Sequence, residues 1–454
     1  MKIQDFKGHF KRNYLLAYPV VLSQLGHVLV GTADSLMVGR VGTEELAAVS
    51  VANAVFSVTM MFGIGISFGL TPLVAQSDGE GSHQAAMRFM KHSFVVNVFF
   101  GLLLFSILLF GGFILDVLEQ PQEVVVLAKP YLAIIGFSLL PFMVFQTFKQ
   151  FAEGLSFTKQ AMYITLSANV INVILNYVLI FGKLGFEPMG LVGAGWATLI
   201  SRILMAIAMV LFARYYKKFA VYWQYFKVTV WSRLSFKQLL NLGVPTGFQY
   251  IFEVGAFASA AIMIGWMGAV PLASHQVAMN LASISYMMAT GISAAATVRV
   301  GNQLGQRDIS TMRIAAFTCF LMAIIFMSIT GLIFRGLNDY LPMLYTSDQE
   351  VIKIASSLLI IAALFQLSDG VQVVGLGALR GMGDVKLPTA VTFMAYWVIG
   401  LPSGYLLAFP LGFGEEGVWY GLLIGLSVTA IILFMRFDTK SKKLALKINQ
   451  NISG

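Results

Sequence analysis

Long apolar runs alternate with short polar islands along the whole chain. The runs reach the ~20 residues that a helix needs to cross a bilayer. Twelve are expected, near 13–38, 46–76, 93–116, 127–148, 161–182 and 189–213, then near 239–268, 272–298, 313–336, 351–378, 388–409 and 417–437. This pattern predicts an all-α polytopic membrane protein. A basic interruption divides the runs into two sets of six. The expected domains are an N-lobe over 1–213, a linker over 214–238, and a C-lobe over 239–454 with a short basic tail.

The two sets repeat. A shift of 226 residues lays Pro19 on Pro245 and His27 on Glu253. The same shift lays Gly65, Ser67, Thr71, Val74 and Gly79 on Gly291, Ser293, Thr297, Val300 and Gly305. A shift of 227 lays Gly154, Lys159 and Gly190 on Gly381, Lys386 and Gly417. Register this constant across six runs marks a duplication. Six spans per repeat, an even number, make the lobes parallel, related by a pseudo-two-fold axis along the membrane normal. Repeats of this kind place a substrate path at their interface and alternate access by rocking one half against the other.

Composition sharpens this picture. The chain is 58% hydrophobic and 11% charged, against about 25% charged in soluble proteins. The net charge of +9 comes from basic residues between runs and at the ends, with no aromatic-interleaved basic stripe. No nucleic-acid partner is expected. Placing the N-terminus in the cytoplasm puts most of the 30 Lys and Arg on the inside, the bias that sets topology. Both termini are then cytoplasmic. The first run is longer than a signal peptide's apolar region and is expected to be retained. Cys319 is the single cysteine, so no intrachain disulfide can form.

Several chemistries lack their motifs. Gly182-Lys183 is followed by Leu184 rather than Ser or Thr, so there is no nucleotide phosphate loop. No His-Glu-x-x-His, nucleophile elbow or cysteine–histidine cluster is present. The chain is not expected to be an enzyme, has no catalytic residues to nominate, and needs no cofactor beyond a coupling ion.

Three acids fall inside runs: Asp34, Glu253 and Asp369. A carboxylate near mid-bilayer costs ~2.5–3.5 kcal/mol on insertion scales, so each is a functional candidate. Asp34 shares a helical face with Gln24, His27 and Gly31; Glu253 lies near Thr246, Gln249 and Tyr250; Asp369 has Gln366 and Gln372 three residues to either side. Sodium asks for several oxygen ligands, a proton for one desolvated carboxylate, and either fits. Glu253 and Asp369 can form a Na+ or H+ site, whereas Asp34 can titrate or pair with a cationic substrate. The alternative is that these acids join packing hydrogen bonds between helices. Glu153 and Asp384 read better as solvated loop charges, and Arg202 is the basic residue within a run.

Polar stripes at helical spacing add Thr165, Asn169, Asn172 and Asn176 on one run, and Gln276, Asn280, Ser283 and Met287 beside Tyr286 on another. Polar groups avoid lipid, so both faces are expected to look inward. Pro19, Pro141, Pro245 and Pro402 can bend their helices.

At this point the chain resembles the multidrug and toxic compound extrusion (MATE) family, in its NorM-type branch. The resemblance covers nearly the whole chain. It rests on Gln24 with Asp34-Ser35-x-Met37-Val38-Gly39, on Leu379-Arg380-Gly381-Met382-Gly383-Asp384 with Pro388, and on Asn172-x-x-x-Asn176-Tyr177. It implies two six-helix lobes around a V-shaped cavity, and antiport of cationic or amphipathic drugs and dyes against Na+ or H+. It implies a proton- or substrate-binding role for Asp34, joined by Asn172 and Asn176, in a protein of the bacterial inner membrane. The stripe residues Gln276 and Asn280, from their spacing, are further candidates. Glu253, Asp369 and Tyr286 match the cation site of the second lobe, and the intact acidic pair favours sodium. A monomer in contact with membrane lipid is expected. Two other readings stay open. A flippase for a lipid-linked precursor would ask for a cavity rich in Lys or Arg, and a membrane-embedded lipid-modifying enzyme would use the buried acids in acid–base work.

Overall fold

A computed structural model describes residues 3–110, 112, 115 and 121–453. The end of the third expected run, 111–116, falls mostly outside them. Among the described residues there is no strand, and twelve helices are long and apolar enough to span a membrane. They are α1 (Lys7–Val38), α2 (Thr43–Gly79), α3 (His83–Phe110), α4 (Gln122–Gly154), α5 (Thr158–Phe181) and α6 (Gly190–Tyr215). After the linker come α7 (Arg233–Gly265), α8 (Ala269–Gly305), α9 (Ile309–Gly336), α10 (Gln349–Gly381), α11 (Lys386–Ala408) and α12 (Gly414–Lys447).

Local chemistry sets several helix ends. Asp308 caps α9 by accepting from the Thr311 N–H, and Asp348 caps α10 by accepting from those of Glu350 and Val351. Gly182 closes α5 in the left-handed conformation at φ 63°, which glycine adopts without penalty. Two helices are interrupted. α4 is broken at Ser138 and α2 at Phe68–Gly69. Pro141 and Pro72 lie just after these breaks, and a proline ring obstructs the carbonyl four residues before it.

The chain divides into two compact units. The N-unit is Leu22–Gly247 and the C-unit is Met1–Val21 with Phe248–Gly454. The first part of α1 therefore belongs to the C-unit, and the first part of α7 to the N-unit. The divisions fall just after the repeat-related Pro19 and Pro245. In the N-unit a Cβ on Gly65 would come within 2.5 Å of the Gly247 backbone. Its counterpart in the C-unit, Gly291, would place one 2.9 Å from the Ala17 carbonyl oxygen and against Val21. Val21 and Gly247 are themselves related by the 226-residue shift. The same duplication joins Gly154 to Thr71 and Val74 in one unit, and Gly381 to Thr297 and Val300 in the other. Small residues let the helix backbones approach, which is how spanning helices gain packing energy in lipid.

Each unit has its own polar fastening. In the N-unit the linker is tied to α2 and α3. Tyr222 donates to Asp78 at 2.8 Å, the Ser232 N–H donates to the His92 ring at 2.8 Å, and Lys91 donates to the Thr229 carbonyl at 3.1 Å. In the C-unit Asp384 receives Arg436 through two bonds, 2.7 and 3.0 Å, and Lys440 at 2.9 Å. Burial pushes the Asp384 carboxyl up, but these cations outweigh it and hold it below the usual aspartate range.

Two charges read as solvated are therefore enclosed. Asp384 is 8% exposed. Glu153 is 4% exposed, because α4 continues to Gly154 and turns Glu153 back onto Lys149, 3.8 Å away and itself buried. Lys149 also means that Arg202 does not stand alone as a basic residue within a spanning helix.

Candidate functional site

In the N-unit, Asp34 of α1 and the polar face of α5 come together. The Asn176 amide nitrogen donates to the Asp34 carboxylate and, at 3.0 Å, to the Asn172 side-chain oxygen. Asn172 in turn donates to Ser201 of α6 at 3.1 Å. Asn172 and Asn176 are buried, and Asp34 is half-buried. The close approach of α1 to α5 is set at Gly26, where a Cβ would meet the Asn169 amide at 2.7 Å. The Asn176 oxygen is buried and has no hydrogen-bond partner, as is the Thr165 hydroxyl. An unpaired buried acceptor is costly.

Arg202, one residue after Ser201, lies within electrostatic reach of Asp34 and of Tyr131. Tyr131 donates to Asn53 of α2 at 3.4 Å. This side of the N-unit thus carries one carboxylate, one guanidinium and a set of neutral amides.

The C-unit holds the second cluster. Glu253 of α7 and Asp369 of α10 are 4% and 5% exposed, and they lie within electrostatic reach of each other. The Tyr286 hydroxyl of α8 donates to Glu253. Tyr286 is positioned by packing on Ala289, Met327 and Val373. Gln366 and Gln372 are fully buried on α10. Tyr396 of α11 donates to the Gln372 side-chain oxygen at 3.0 Å. It sits in a π-helical segment, Met394–Gly400, whose Trp397 donates to the Phe252 carbonyl at 2.9 Å, next to Glu253. Such widened turns recur at functional sites.

Charge and hydrogen bonding leave this cluster incomplete. One Glu253 oxygen, both polar atoms of Gln366 and the Gln372 nitrogen are buried without partners. Arg380 is buried, bonds Tyr250 and acts electrostatically on Glu253. With both carboxyl groups ionised, one guanidinium would leave one negative charge over, and adjacent buried carboxylates do not both ionise unless a cation or a proton accompanies them. The Glu253 and Asp369 carboxylates and the Gln366 oxygen are hard oxygen donors of the kind a monovalent ion takes. Among the described residues no group of three or more His, Cys, Asp or Glu could hold a metal ion, so neutral oxygens would have to complete such a shell.

The structure thus brings Asp34, Asn172 and Asn176 together in one unit, and Glu253, Asp369 and Tyr286 together in the other. Gln276 and Asn280 are exposed on α8, and Ser283 and Met287 of the same stripe are half-buried. Three further residues were not nominated. Tyr396 hides in an apolar run, Arg380 sits beside the glycines that end α10, and Ser201 belongs to no stripe. The repeat offered one unused signal, since Arg380 is the counterpart of the buried Glu153.

Twelve spanning helices in two duplicated halves, each with buried acid and amide groups in its interior, define a membrane transporter rather than an enzyme. The family model described as MatE matches residues 19–178 and again 245–406. Its two matches begin at Pro19 and Pro245. The chain belongs to the MATE family of transporters. It is 36% identical over 441 residues to "Probable multidrug resistance protein NorM" of Agrobacterium fabrum, covering 95% of this chain and 94% of that one. It is 33% identical over 443 residues to "Multidrug resistance protein NorM" of Photobacterium profundum, covering 96% of each. The fold matches that of the eukaryotic MATE transporter AtDTX14 with a TM-score of 0.86 at 21% identity, over 98% of this chain and 100% of that one.

Proposed function

We propose that this multidrug efflux transporter of the MATE family is a secondary antiporter. It would export cationic or amphipathic drugs and dyes across a bacterial inner membrane, with both termini cytoplasmic and the monomer as the working unit. The observation that carries the reading is the C-unit cluster, where the carboxyl groups of Glu253 and Asp369 are buried within reach of each other and several polar atoms are unpaired. Glu253, Asp369 and the Gln366 oxygen would hold the incoming Na+, with Tyr286 orienting Glu253; a proton could use the same carboxylates. Asp34 and Asn176 would receive the cationic group of the exported compound. Export follows if the ion and the compound favour different arrangements of the protein, since a ligand with equal affinity for both shifts nothing.

The names borne by the relatives support drug export. The lipid-flippase alternative gains from buried Lys149 and Arg202. Lys149 is nevertheless engaged with Glu153 at 3.8 Å and is not free to hold a diphosphate. The test is dye retention in cells expressing the protein. Glu253→Gln and Asp369→Asn should each raise retained ethidium to the level of cells without the protein, with unchanged membrane abundance. Unimpaired efflux by both variants would remove the coupling site.

A further inference from the structure

The linker between the two sets of spans carries a surface that the proposed exchange does not use. Residues 214–238 hold six Lys and Arg and no Asp or Glu. The first part of this stretch turns into the N-unit, where Phe219 and Tyr222 are buried against Phe151. The part from Lys227 to Lys237 is built the other way round. Its buried positions are the small polar residues Thr229 and Ser235. Its apolar side chains stay outside, with Val228 64%, Val230 78% and Leu234 65% exposed. Lys227, Arg233 and Lys237 are exposed among them, and none of the three has a side-chain partner among the described residues.

This inverted segment is nonetheless held in place. Lys91 donates to the Thr229 carbonyl, and the Ser232 N–H donates to the His92 ring. The Trp231 ring stacks on Phe236, with centroids 6.0 Å apart, and meets the His92 ring edge-on at 5.0 Å. The Lys91 ammonium lies 4.6 Å over it. About half of the indole is exposed all the same, and its N–H has no acceptor among the described residues.

Apolar side chains fixed in water are costly. Their position supplies another medium. α6 ends at Tyr215 and α7 begins at Arg233, so the linker lies at the level where spanning helices leave the bilayer. Tryptophan sits at headgroup depth there, and Lys and Arg draw anionic headgroups.

We propose that residues 227–237 form a binding surface for anionic phospholipid. Val228, Val230 and Leu234 seat below the headgroups, and Lys227, Arg233 and Lys237 meet the phosphates. The occupant is a headgroup with its chains attached, because a free anion would leave the valines and the leucine in water. Anionic lipid is then a partner of the transporter, whichever ion drives export.

Val230→Cys labelled with NBD, a fluorophore sensitive to its surroundings, reports on this surface in purified protein. Cys319 is buried and stays unlabelled. Dihexanoyl phosphatidylglycerol should shift the emission to the blue at much lower concentration than dihexanoyl phosphatidylcholine does. Replacing Lys227, Arg233 and Lys237 together by Gln should weaken phosphatidylglycerol about a hundredfold, at about fivefold per charge, and leave phosphatidylcholine unchanged. Replacing Lys227 and Lys237 by Arg should preserve the preference. Equal affinities for the two lipids in the labelled protein overturn the proposal, and so does a preference that survives the triple Gln replacement. Glycerophosphoglycerol, the same headgroup without chains, should not shift the emission; binding as tight as that of phosphatidylglycerol would make this a site for free anions and overturn the lipid reading. The comparison of the two lipids decides the matter without the triple variant having to fold.

Discussion

Asn176 holds the Asp34 carboxylate with its amide nitrogen and leaves its own oxygen buried and unpaired. The pair joins α1 to α5 within one unit, and under the export reading the cationic N–H group of a compound would be received here.

Asn176→Ala removes the hydrogen bond to Asp34 and the vacant acceptor together. Losing a hydrogen bond to a charged group costs about 1.5–3 kcal/mol, so a simple cationic dye such as rhodamine 6G should bind at least about tenfold more weakly. Asp34→Asn should weaken it further. Anisotropy titrations on purified protein check this. Unaltered affinity in both variants would place the dye elsewhere.

The duplicated glycines give a stability test. A Cβ on Gly154 would lie 2.9 Å from Val74 and 3.0 Å from the Thr71 carbonyl oxygen; one on Gly381 would lie 2.7 Å from the Thr297 carbonyl oxygen and 2.9 Å from Val300. Backbone oxygens do not yield as flexible side chains do. Gly154→Ala and Gly381→Ala should each destabilise by about 1–3 kcal/mol, the usual cost of overpacking. Thermal unfolding in detergent should show lowered midpoints for both. Gly383→Ala is a contrasting case: the site is open, but its φ of 71° strains any side chain.

Asp384 ties the α10–α11 turn to α12, and its carboxyl is held below the ordinary range by Arg436 and Lys440. A folded-state value below the unfolded one contributes stability that is present above the unfolded value, about 3.9, and is lost as pH falls through the folded one. Asp384→Asn should therefore lower the unfolding midpoint at pH 7 and cost progressively less as pH drops below about 4. A penalty of the same size at pH 7 and at pH 3 would show that charge pairing is not what Asp384 provides.

The spanning helices and their duplication were legible because they rest on composition and on periodic spacing, which each stretch carries by itself. The 226-residue shift aligned Gly65 with Gly291, and the structure gives both a close helix contact. The buried acids Glu253 and Asp369 were legible because an acid in an apolar run is costly wherever it points. What failed depended on distant partners. Asp384 followed two glycines and looked solvated, but its cations lie about fifty residues away on α12. Arg202 was visible as a charge in an apolar run, but the Phe56 and Phe142 rings it lies over were not, because they come from two other helices.

Purified protein in sealed liposomes, with pH held equal on both sides, gives the most direct test of the proposed coupling. An imposed sodium gradient alone should drive uphill movement of a cationic dye, and Glu253→Gln should abolish it while the protein stays folded. Transport that ignores sodium in the wild type but follows a proton gradient would contradict sodium at the Glu253–Asp369 cluster and move the coupling to protons. Transport under neither gradient, in folded protein, would contradict antiport itself.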